Sequence, residues 1–478
     1  MLFNTYKFLA FFVFVYAIYR VLDGKVRTQN LLLLTASYLF YAAWDWRFLA
    51  LIWASTAIDY TVAHRVDRET SSKRRRGWLC CSIAFNLGCL GFFKYADFGI
   101  QSFASMMQML GLEPHFSTLG IILPVGISFY TFQTLGYSID VYRRRTDPSN
   151  DLIAFALFVA YFPQLVAGPI ESANRLLPQL NRKRSIRRLN ILLGLHWIAL
   201  GYFKKVVLAD CIAPLVNQVF ESPDQFNAAA LWTGAIAFAL QIYGDFAGYS
   251  LIALGISELM GIRLRRNFAM PYLSRSPSEF WHRWHISLSR WLRDYLYIPL
   301  GGNRAGAKRT KLNLLTTMTI GGLWHGAAWN FVLWGVYHGL LLMFPQRTKT
   351  LRKRGDLALR IGEGSIPGML SRLLQTVGTF LLITIGWVLF RCPMSKLGDY
   401  LSGMFFRFDH DPQILALVLP TVAGFGLLMA YHFWQFRSGS RLVLMRMPLF
   451  PRVFVYTFLV ASPITIGFQP TSFIYFQF

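Results

Sequence analysis

The stretch Thr316-Thr-Met-Thr-Ile-Gly-Gly-Leu-Trp-His-Gly326 places a histidine inside an apolar run that continues to Phe344. An ionisable side chain at membrane depth is costly unless it has a partner or lines a polar cavity, so we interpret His325 as a functional residue. Histidine exchanges protons near neutral pH, which suits a general base in a buried cavity. A histidine that only bonds a neighbouring helix is the structural alternative.

Composition assigns the whole chain to the membrane proteins. Of the 478 residues, 54% are hydrophobic and only 15% are charged, and the apolar residues come in blocks. These blocks predict an all-α, polytopic integral membrane protein with about 10–12 transmembrane helices, since a span needs roughly 20 apolar residues. Re-entrant and interfacial helices are expected beside them, around a central cavity. The principal apolar blocks lie near 8–22, 29–43, 48–63, 78–93, 119–139, 190–213, 229–256, 370–390, 412–434 and 453–468.

The net charge of +25 is distributed as in a membrane protein rather than a nucleic-acid-binding protein. Lys and Arg lie in loops between the apolar runs, where cytoplasmic loops contact anionic headgroups. Their alternation predicts that loops 64–77, 182–188 and 347–354 are cytoplasmic and that both termini lie outside. The five cysteines have no metal-ligand spacing, so we predict neither a metal site nor a bound cofactor.

The alternation of basic loops fails at two apolar segments. Segment 151–170 has basic loops on both sides and contains Pro163, Gly168 and Pro169, which predicts a re-entrant or broken helix. Segment 312–344 is flanked in the same way, and its glycines predict a break at His325. Between them, 263–310 is too polar to span and is expected on the cytoplasmic side, with one interfacial amphipathic helix over 280–296.

Other polar groups in apolar surroundings are weaker candidates. His285 is interpreted as a second polar group of the site or a substrate contact, with a headgroup-facing residue as the alternative, while His282 is expected to be structural. Asp245 is an acid within an apolar run and could partner a histidine or an arginine. No GxSxG, HExxH or P-loop motif occurs, which argues against the common hydrolases and nucleotide-binding proteins. Structural roles are expected for His196, His338 and His432.

Several sequence blocks together resemble the membrane-bound O-acyltransferases. The resemblance is to the bacterial branch that acetylates alginate and other exopolysaccharides, and it extends over the whole chain, which implies one domain over 1–478. The blocks are Pro124-Val-Gly-Ile-Ser-Phe-Tyr130, Ile139-Asp-Val-Tyr-Arg143, Phe162-Pro-Gln-Leu-Val-Ala-Gly-Pro-Ile170, Asp245-Phe-Ala-Gly-Tyr-Ser250, Asn267 to Tyr272, Glu279-Phe-Trp-His-Arg-Trp-His-Ile-Ser-Leu288, Trp291-Leu-Arg-Asp-Tyr-Leu-Tyr-Ile-Pro-Leu-Gly-Gly-Asn-Arg304 and Gly322-Leu-Trp-His-Gly326.

The resemblance implies roles for individual residues. His325 matches the family's catalytic histidine, and His285 matches its second functional histidine. Tyr475, in the aromatic tail 473–478, matches a tyrosine considered to be an acyl carrier or docking element; an inert membrane anchor is the alternative. Candidates for supporting roles are Asp245, Trp324 and Asn303. The chain departs from the family at Leu251, where an Asp usually follows Gly-Tyr-Ser.

The reaction implied by the resemblance is acyl transfer. The donor would be a cytoplasmic thioester, acetyl-CoA, used as a substrate, and the acceptor would be hydroxyls of an extracytoplasmic polysaccharide, as in alginate O-acetylation. The resemblance places the protein in the bacterial cytoplasmic (inner) membrane with an extracytoplasmic acyltransferase or polysaccharide-modifying partner protein. The alternatives are a glycan or acyl-carrier transporter or flippase with His325 as a proton relay, and a scaffold that recruits a soluble acetyltransferase.

Overall fold

The computed structural model describes residues 1–113, 116–166, 168–344, 366–409, 414–467 and Ile474. That part of the chain contains twenty α-helices and no β-strand. The first ten are α1 (Tyr6–Val21), α2 (Val26–Asp45), α3 (Leu49–Arg68), α4 (Ser72–Leu90), α5 (Ala96–Met109), α6 (Ile127–Tyr142), α7 (Leu152–Ala160), α8 (Phe162–Leu165), α9 (Ala173–Leu180) and α10 (Arg188–Tyr202). The others are α11 (Ala213–Glu221), α12 (Ala228–Leu259), α13 (Pro277–Arg283), α14 (Ile286–Leu292), α15 (Gly306–His325), α16 (Trp329–Met343), α17 (Ile366–Arg391), α18 (Met394–Phe406), α19 (Ile414–Ser438) and α20 (Leu449–Ile466).

Six helical stretches in the described part are long and apolar enough to cross a membrane. Four further predicted spans also form helices (α1, α2, α3 and α6), but these are shorter or more polar. The chain is therefore an all-α, multi-pass membrane protein, as its composition predicts. The six stretches are Ser72–Met109, Arg188–Glu221, Ala228–Leu259, Gly368–Arg391, Ile414–Ser438 and Leu449–Ile466.

The centre of the molecule is α12, a helix of 32 residues that is buried along most of its length. Helix α10 packs against it through glycines: a Cβ added to Gly248 would lie 2.7 Å from the carbonyl oxygen of Gly201. Small residues allow this approach, and in lipid such close packing is a main source of helix association. Because α12 carries Asp245 and Ser250, this packing places polar groups in the protein interior.

The predicted break within 151–170 is present. Helix α7 ends at Ala160, Tyr161 leaves the helical conformation, and α8 begins at Phe162. The backbone N–H of Phe162 donates to Ser37 Oγ at 3.1 Å, and the residues around the break are buried in protein. Irregular backbone at membrane depth is tolerated under those conditions.

The second predicted break separates α15 from α16, directly after His325. The two helices form a hairpin whose close contact depends on glycine. A Cβ added to Gly322 would lie 2.2 Å from the carbonyl oxygen of Phe331, and one added to Gly335 would lie 2.5 Å from that of Met318. The hairpin therefore holds His325 at the end of a tightly packed helix.

The segment 280–296 differs from the single interfacial helix predicted for it. Helices α13 and α14 are separated by a break at Trp284 and His285. Phe280 and Trp284 are each 1% exposed, so these aromatic side chains pack within the protein core rather than at a lipid interface. The apolar residues keep a helical spacing across the break, so the sequence wrongly predicted one continuous helix.

Candidate active site

His325 lies at the last residue of α15 and is 5% exposed. Its ring packs against aromatic side chains, with centroid distances of 5.0 Å to Trp334 and 5.4 Å to Phe390. Trp324 precedes it and lies with its ring 5.3 Å from those of both Phe129 and Phe132. Trp324 thus closes one side of the space around the imidazole.

The carbonyl groups at the end of α15 accept hydrogen bonds from the turn that joins α4 to α5. Lys94 Nζ donates to the carbonyl oxygens of Trp324, at 2.6 Å, and His325, at 3.0 Å, and Tyr95 donates its hydroxyl to that of Leu323 at 2.7 Å. The last carbonyls of a helix have no partner within the helix, and a cation there also meets the negative end of the helix dipole. Lys94 and Tyr95 come from a π-helical turn, Gly91–Tyr95, a feature frequent at functional sites.

The sequence reasoning did not identify Lys94 as a candidate site residue. The reasoning that singled out His325 and Asp245, an ionisable residue inside an apolar run, applies equally to Gly91-Phe-Phe-Lys-Tyr95. The same reasoning would have found Lys204 and Lys205, which are buried in the π-helical turn Phe203–Asp210.

His285 occupies the break between α13 and α14 with φ of 40°, a left-handed conformation that is uncommon for residues other than glycine. Asn267 holds this break: its carbonyl accepts from Ile286 N at 2.9 Å, and its Oδ1 accepts from Ser287 Oγ at 2.7 Å. Asn267 Nδ2 donates to Ser250 Oγ on α12 at 3.2 Å. This network fixes the buried His285 ring, which lies 4.6 Å from the ring of Phe246.

The fold brings the two histidines together from segments 40 residues apart. Their ring centroids are 6.5 Å apart, and Trp324 borders both rings. Both side chains are buried in a mainly aromatic setting from which water is excluded. Such a site can support proton transfer, because a setting of low polarity strengthens the polar interactions within it.

Among the described residues, Asp245 pairs with a lysine and not with a histidine or an arginine. Its Oδ1 forms an ion pair with Lys205 Nζ at 2.7 Å, and Lys205 Nζ also donates to Asp210 Oδ1 at 2.8 Å. The second oxygen of Asp245 accepts the backbone N–H of Ile474 at 2.7 Å, and the Ile474 side chain is 2% exposed. Asp245 therefore ties the C-terminal tail to α12, one residue before Phe246, which contacts His285.

The remaining candidates are more distant or cannot be placed. Asn303 is exposed in the turn that precedes α15 and does not join the buried group. Tyr475 lies outside the described residues. The three histidines for which structural roles were expected have structural contacts: His196 bonds Tyr456, His432 bonds Tyr243, and His338 packs against Trp281 and Trp334.

A cationic cavity of about 280 Å³ lies beside the residues that hold the His285 break. Ser250 and Asn267, which hold the His285 break, line it together with Leu251. Burial, together with the positive charges of the nearby Arg441, Arg290 and Arg283, lowers the pKa of Arg266 to about 10. Five cations line this cavity, namely Arg175, Lys204, Arg263, Arg266 and Arg441.

Comparison with known proteins identifies the family. Residues 144–358 match the model of the MBOAT, membrane-bound O-acyltransferase family. The chain is 37% identical over the full length of both chains to "Probable alginate O-acetylase AlgI" of Pseudomonas putida. The chain belongs to the membrane-bound O-acyltransferase family.

Other relatives of this O-acyltransferase agree with that assignment. "Probable alginate O-acetylase AlgI" of Azotobacter vinelandii is 43% identical over 85% of this chain and 79% of its own length. "Peptidoglycan O-acetyltransferase" of Helicobacter pylori is 35% identical over 84% of this chain and 80% of its own length. Among the described residues, no group of three or more His, Cys, Asp or Glu side chains could hold a metal ion.

Proposed function

We propose that this O-acyltransferase transfers an acetyl group from acetyl-CoA, bound from the cytoplasm, to hydroxyls of an extracytoplasmic polysaccharide. The observation that carries the proposal is the buried pair His325 and His285, 6.5 Å apart between ring centroids, beside a cationic cavity. The names of the relatives, which refer to O-acetylation of alginate and of peptidoglycan, support acetyl as the group and a polysaccharide as the acceptor.

The donor enters through the cavity lined by Arg266 and Arg441. The cationic side chains of the cavity complement the negative charge of the phosphates of coenzyme A. Guanidinium groups bind phosphate with two parallel hydrogen bonds. Ser250 and Asn267 lie at the end of this cavity nearest His285, so the thioester would extend toward the histidines. Leu251, where the family usually has Asp, adds no negative charge to this cavity, and Glu258 is the one acidic residue among its described lining residues.

His325 acts as the general base. It takes the proton from the attacking hydroxyl as the new C–O bond forms at the thioester carbonyl, and then gives that proton to the coenzyme A sulfur as the C–S bond breaks. Hydrogen bonds of about 2.7–3.2 Å would let one hydroxyl oxygen contact both rings across the observed spacing. His285 would then hold the oxygen in position while His325 moves the proton.

A second hydroxyl, that of Tyr475, would take part in the transfer. Ile474 donates its N–H to Asp245 beside the segment of α12 that contacts His285, and Tyr475 is the next residue in the sequence. Tyr475 would serve as the first acceptor of the acetyl group or as a docking element for a partner. The partner would be an extracytoplasmic acyltransferase or polysaccharide-modifying protein, met at the outer face of the bacterial inner membrane.

The base role is tested with His325→Gln and a matched control, His282→Gln. His282 is exposed and lies three residues from His285, so its loss leaves the pair intact. We expect His325→Gln to lower turnover of radiolabelled acetyl-CoA by purified protein, and acetylation of the surface polymer in cells, by at least about 100-fold. His282→Gln should stay near wild type. Turnover retained in His325→Gln would contradict the base role.

The same assay separates the enzyme from the transporter. No acetyl-CoA turnover by wild-type protein, together with proton-coupled flux of a glycan or acyl carrier into proteoliposomes, would support the transporter with His325 as a relay. Polymer acetylation that persists with both histidines replaced would support the scaffold. One functional unit over 1–478 is proposed, so the cavity and the tail should not be separable into active fragments.

The tail is tested by Tyr475→Phe and Asp245→Asn. Tyr475→Phe keeps nearly all of the apolar area and removes only the hydroxyl. If Tyr475 carries the acetyl group, this variant loses polymer acetylation by about 100-fold or more, as expected for a lost nucleophile. Asp245→Asn weakens the tail anchor and should lower acetylation partially. Wild-type acetylation in Tyr475→Phe would exclude the carrier role and leave docking or anchoring.

A further inference from the structure

A long groove, here called the α10–α20 groove, lies between α1, α10 and α20. It has a volume of about 840 Å³, and none of the described candidate site residues lines it. Leu192 and Leu195 of α10 and Val453 and Val460 of α20 form its walls and are between 46% and 55% exposed. Described protein segments therefore leave these side chains uncovered, and in a membrane protein an uncovered apolar wall contacts lipid chains.

The middle of the groove offers little to a polar ligand. His196 and Tyr456 face each other there, and the His196 Nδ1 and the Tyr456 hydroxyl are 2.5 Å apart. This hydrogen bond occupies the His196 Nδ1 and the Tyr456 hydroxyl, so His196 Nε2 is the one ring nitrogen of this pair without a hydrogen-bond partner among the described residues. The groove is thus suited along most of its length to a hydrocarbon chain.

One end of the groove is cationic. Arg188 is the first residue of α10, and Arg452 lies in the first turn of α20, so both guanidinium groups are at the same end. Arg452 uses one of its N–H groups to donate to the carbonyl of Met445 at 3.2 Å, which holds the side chain at this end. Both helices begin there without an acidic residue in the first turn, and their dipoles add to the positive potential. The described lining contains no Asp or Glu.

The length of the groove fits one acyl chain. From Arg188 to Tyr202 the rise of α10 is about 21 Å, and from Arg452 to Ile464 that of α20 is about 18 Å. A leaflet contributes roughly half of the ~30 Å hydrocarbon core. An acyl chain whose headgroup lies at the two arginines can therefore extend to the middle of the membrane without leaving the groove.

We propose that the α10–α20 groove is a binding site for an anionic glycerophospholipid. One acyl chain lies between α10 and α20, and the headgroup phosphate is bound by Arg188 and Arg452 at the cytoplasmic leaflet. The charge of the site excludes neutral lipids as preferred ligands, and its apolar walls exclude a free phosphate.

The proposal is tested by lipid binding to the full chain purified in a neutral detergent, with native mass spectrometry and thermal unfolding as readouts. Phosphatidylglycerol and phosphatidylcholine with identical acyl chains are the probes. The test variant is Arg188→Gln with Arg452→Gln. The matched control is Arg20→Gln with Arg27→Gln, which removes the same charge from exposed positions outside the groove. A second variant, Val460→Trp, fills the groove and keeps both arginines.

We expect wild type and the control pair to bind phosphatidylglycerol, with higher unfolding temperatures than in phosphatidylcholine. The groove pair should bind phosphatidylglycerol roughly tenfold to thirtyfold more weakly, since each arginine near an anionic headgroup contributes to affinity. Val460→Trp should lose the bound lipid despite its intact charge. Equal binding of both lipids to wild type, equal losses in the two arginine pairs, or full binding to Val460→Trp would each overturn the proposal. Inorganic phosphate that raises the unfolding temperature as much as phosphatidylglycerol would also overturn it.

Discussion

At the scale of single residues, the site depends on residues that form hydrogen bonds with the backbone next to the two histidines. Asn267 holds the left-handed break at His285, and Lys94 holds the end of α15 at His325. Neither residue needs to contact a substrate to matter, because small displacements of a catalytic group can reduce the rate by about 100-fold. They are positioning residues for the two imidazoles.

Lys94→Met should therefore lower kcat while KM for acetyl-CoA changes little. The substitution keeps most of the apolar stem but removes both hydrogen bonds to the end of α15, so the His325 ring loses its fixed position. We expect kcat to fall between about tenfold and 100-fold. Lys7→Met, at an exposed position of α1, is the control and should be neutral. An unchanged kcat in Lys94→Met would show that α15 ends correctly without this lysine.

At the scale of elements, buried polar clusters and glycine contacts define how the helices meet. Asp59 on α3 accepts from Ser82 and Asn86 on α4 and from Ser138 on α6, so three helices share one carboxylate. The α15–α16 hairpin instead relies on backbone contact at Gly322. Substitutions at Asp59 or Gly322 should therefore be poorly tolerated. No neighbouring side chain can move to replace the Asp59 carboxylate, and the backbone carbonyl that faces Gly322 cannot move away without a shift of the helix.

Gly322→Ala should destabilise the protein and lower its activity. The added methyl group would lie 2.2 Å from the carbonyl oxygen of Phe331, so α15 and α16 would have to separate. Overpacking of this kind costs about 1–3 kcal/mol. The measurement is the unfolding temperature in detergent, followed by size-exclusion chromatography with fluorescence detection.

Gly88→Ala is the matched control for this prediction. It lies within α4, and a Cβ there meets nothing within 4 Å. Alanine in place of glycine in a helix interior stabilises by up to about 1 kcal/mol. An unfolding temperature for Gly322→Ala equal to or above that of Gly88→Ala would contradict the tight contact.

At the scale of the whole molecule, transfer across the membrane requires a defined orientation. In the proposed function, the cationic cavity would open to the cytoplasm for acetyl-CoA to enter, and Tyr475 would be reached from the outer face. The stretch Ser72–Met109 carries basic residues at its first turn and an acidic residue, Glu113, shortly after its other end. This asymmetry predicts that residues 64–77 face the cytoplasm.

Cysteine labelling in intact cells or spheroplasts tests this orientation. In a variant whose five cysteines are replaced by serine, Thr70→Cys should be protected from an impermeant thiol reagent until the membrane is opened. Gln108→Cys, at the far end of the same helical stretch, should be labelled at once. Labelling of Thr70→Cys in intact cells would reverse the predicted orientation.

Local features of the sequence were enough to predict the class of protein and two of the breaks in its helices, those within 151–170 and 312–344. Apolar blocks, charged loops and the prolines and glycines of 151–170 and 312–344 act locally, so they are visible along one chain. A lone ionisable residue in an apolar run is also a local signal, and it was sufficient to select His325 and Asp245. The family motifs added the expected roles of the two histidines.

Only the tertiary structure decided which of these groups meet. Three contacts join segments that are far apart in sequence. They are the 6.5 Å approach of the His285 ring to the His325 ring, the hydrogen bonds from Lys94 to the end of α15, and the hydrogen bond from Ile474 to Asp245. The break at His285 was hidden for the same reason, since Asn267 imposes it from outside the helical pattern. Such contacts depend on packing between helices, and hydropathy and periodicity describe each helix alone.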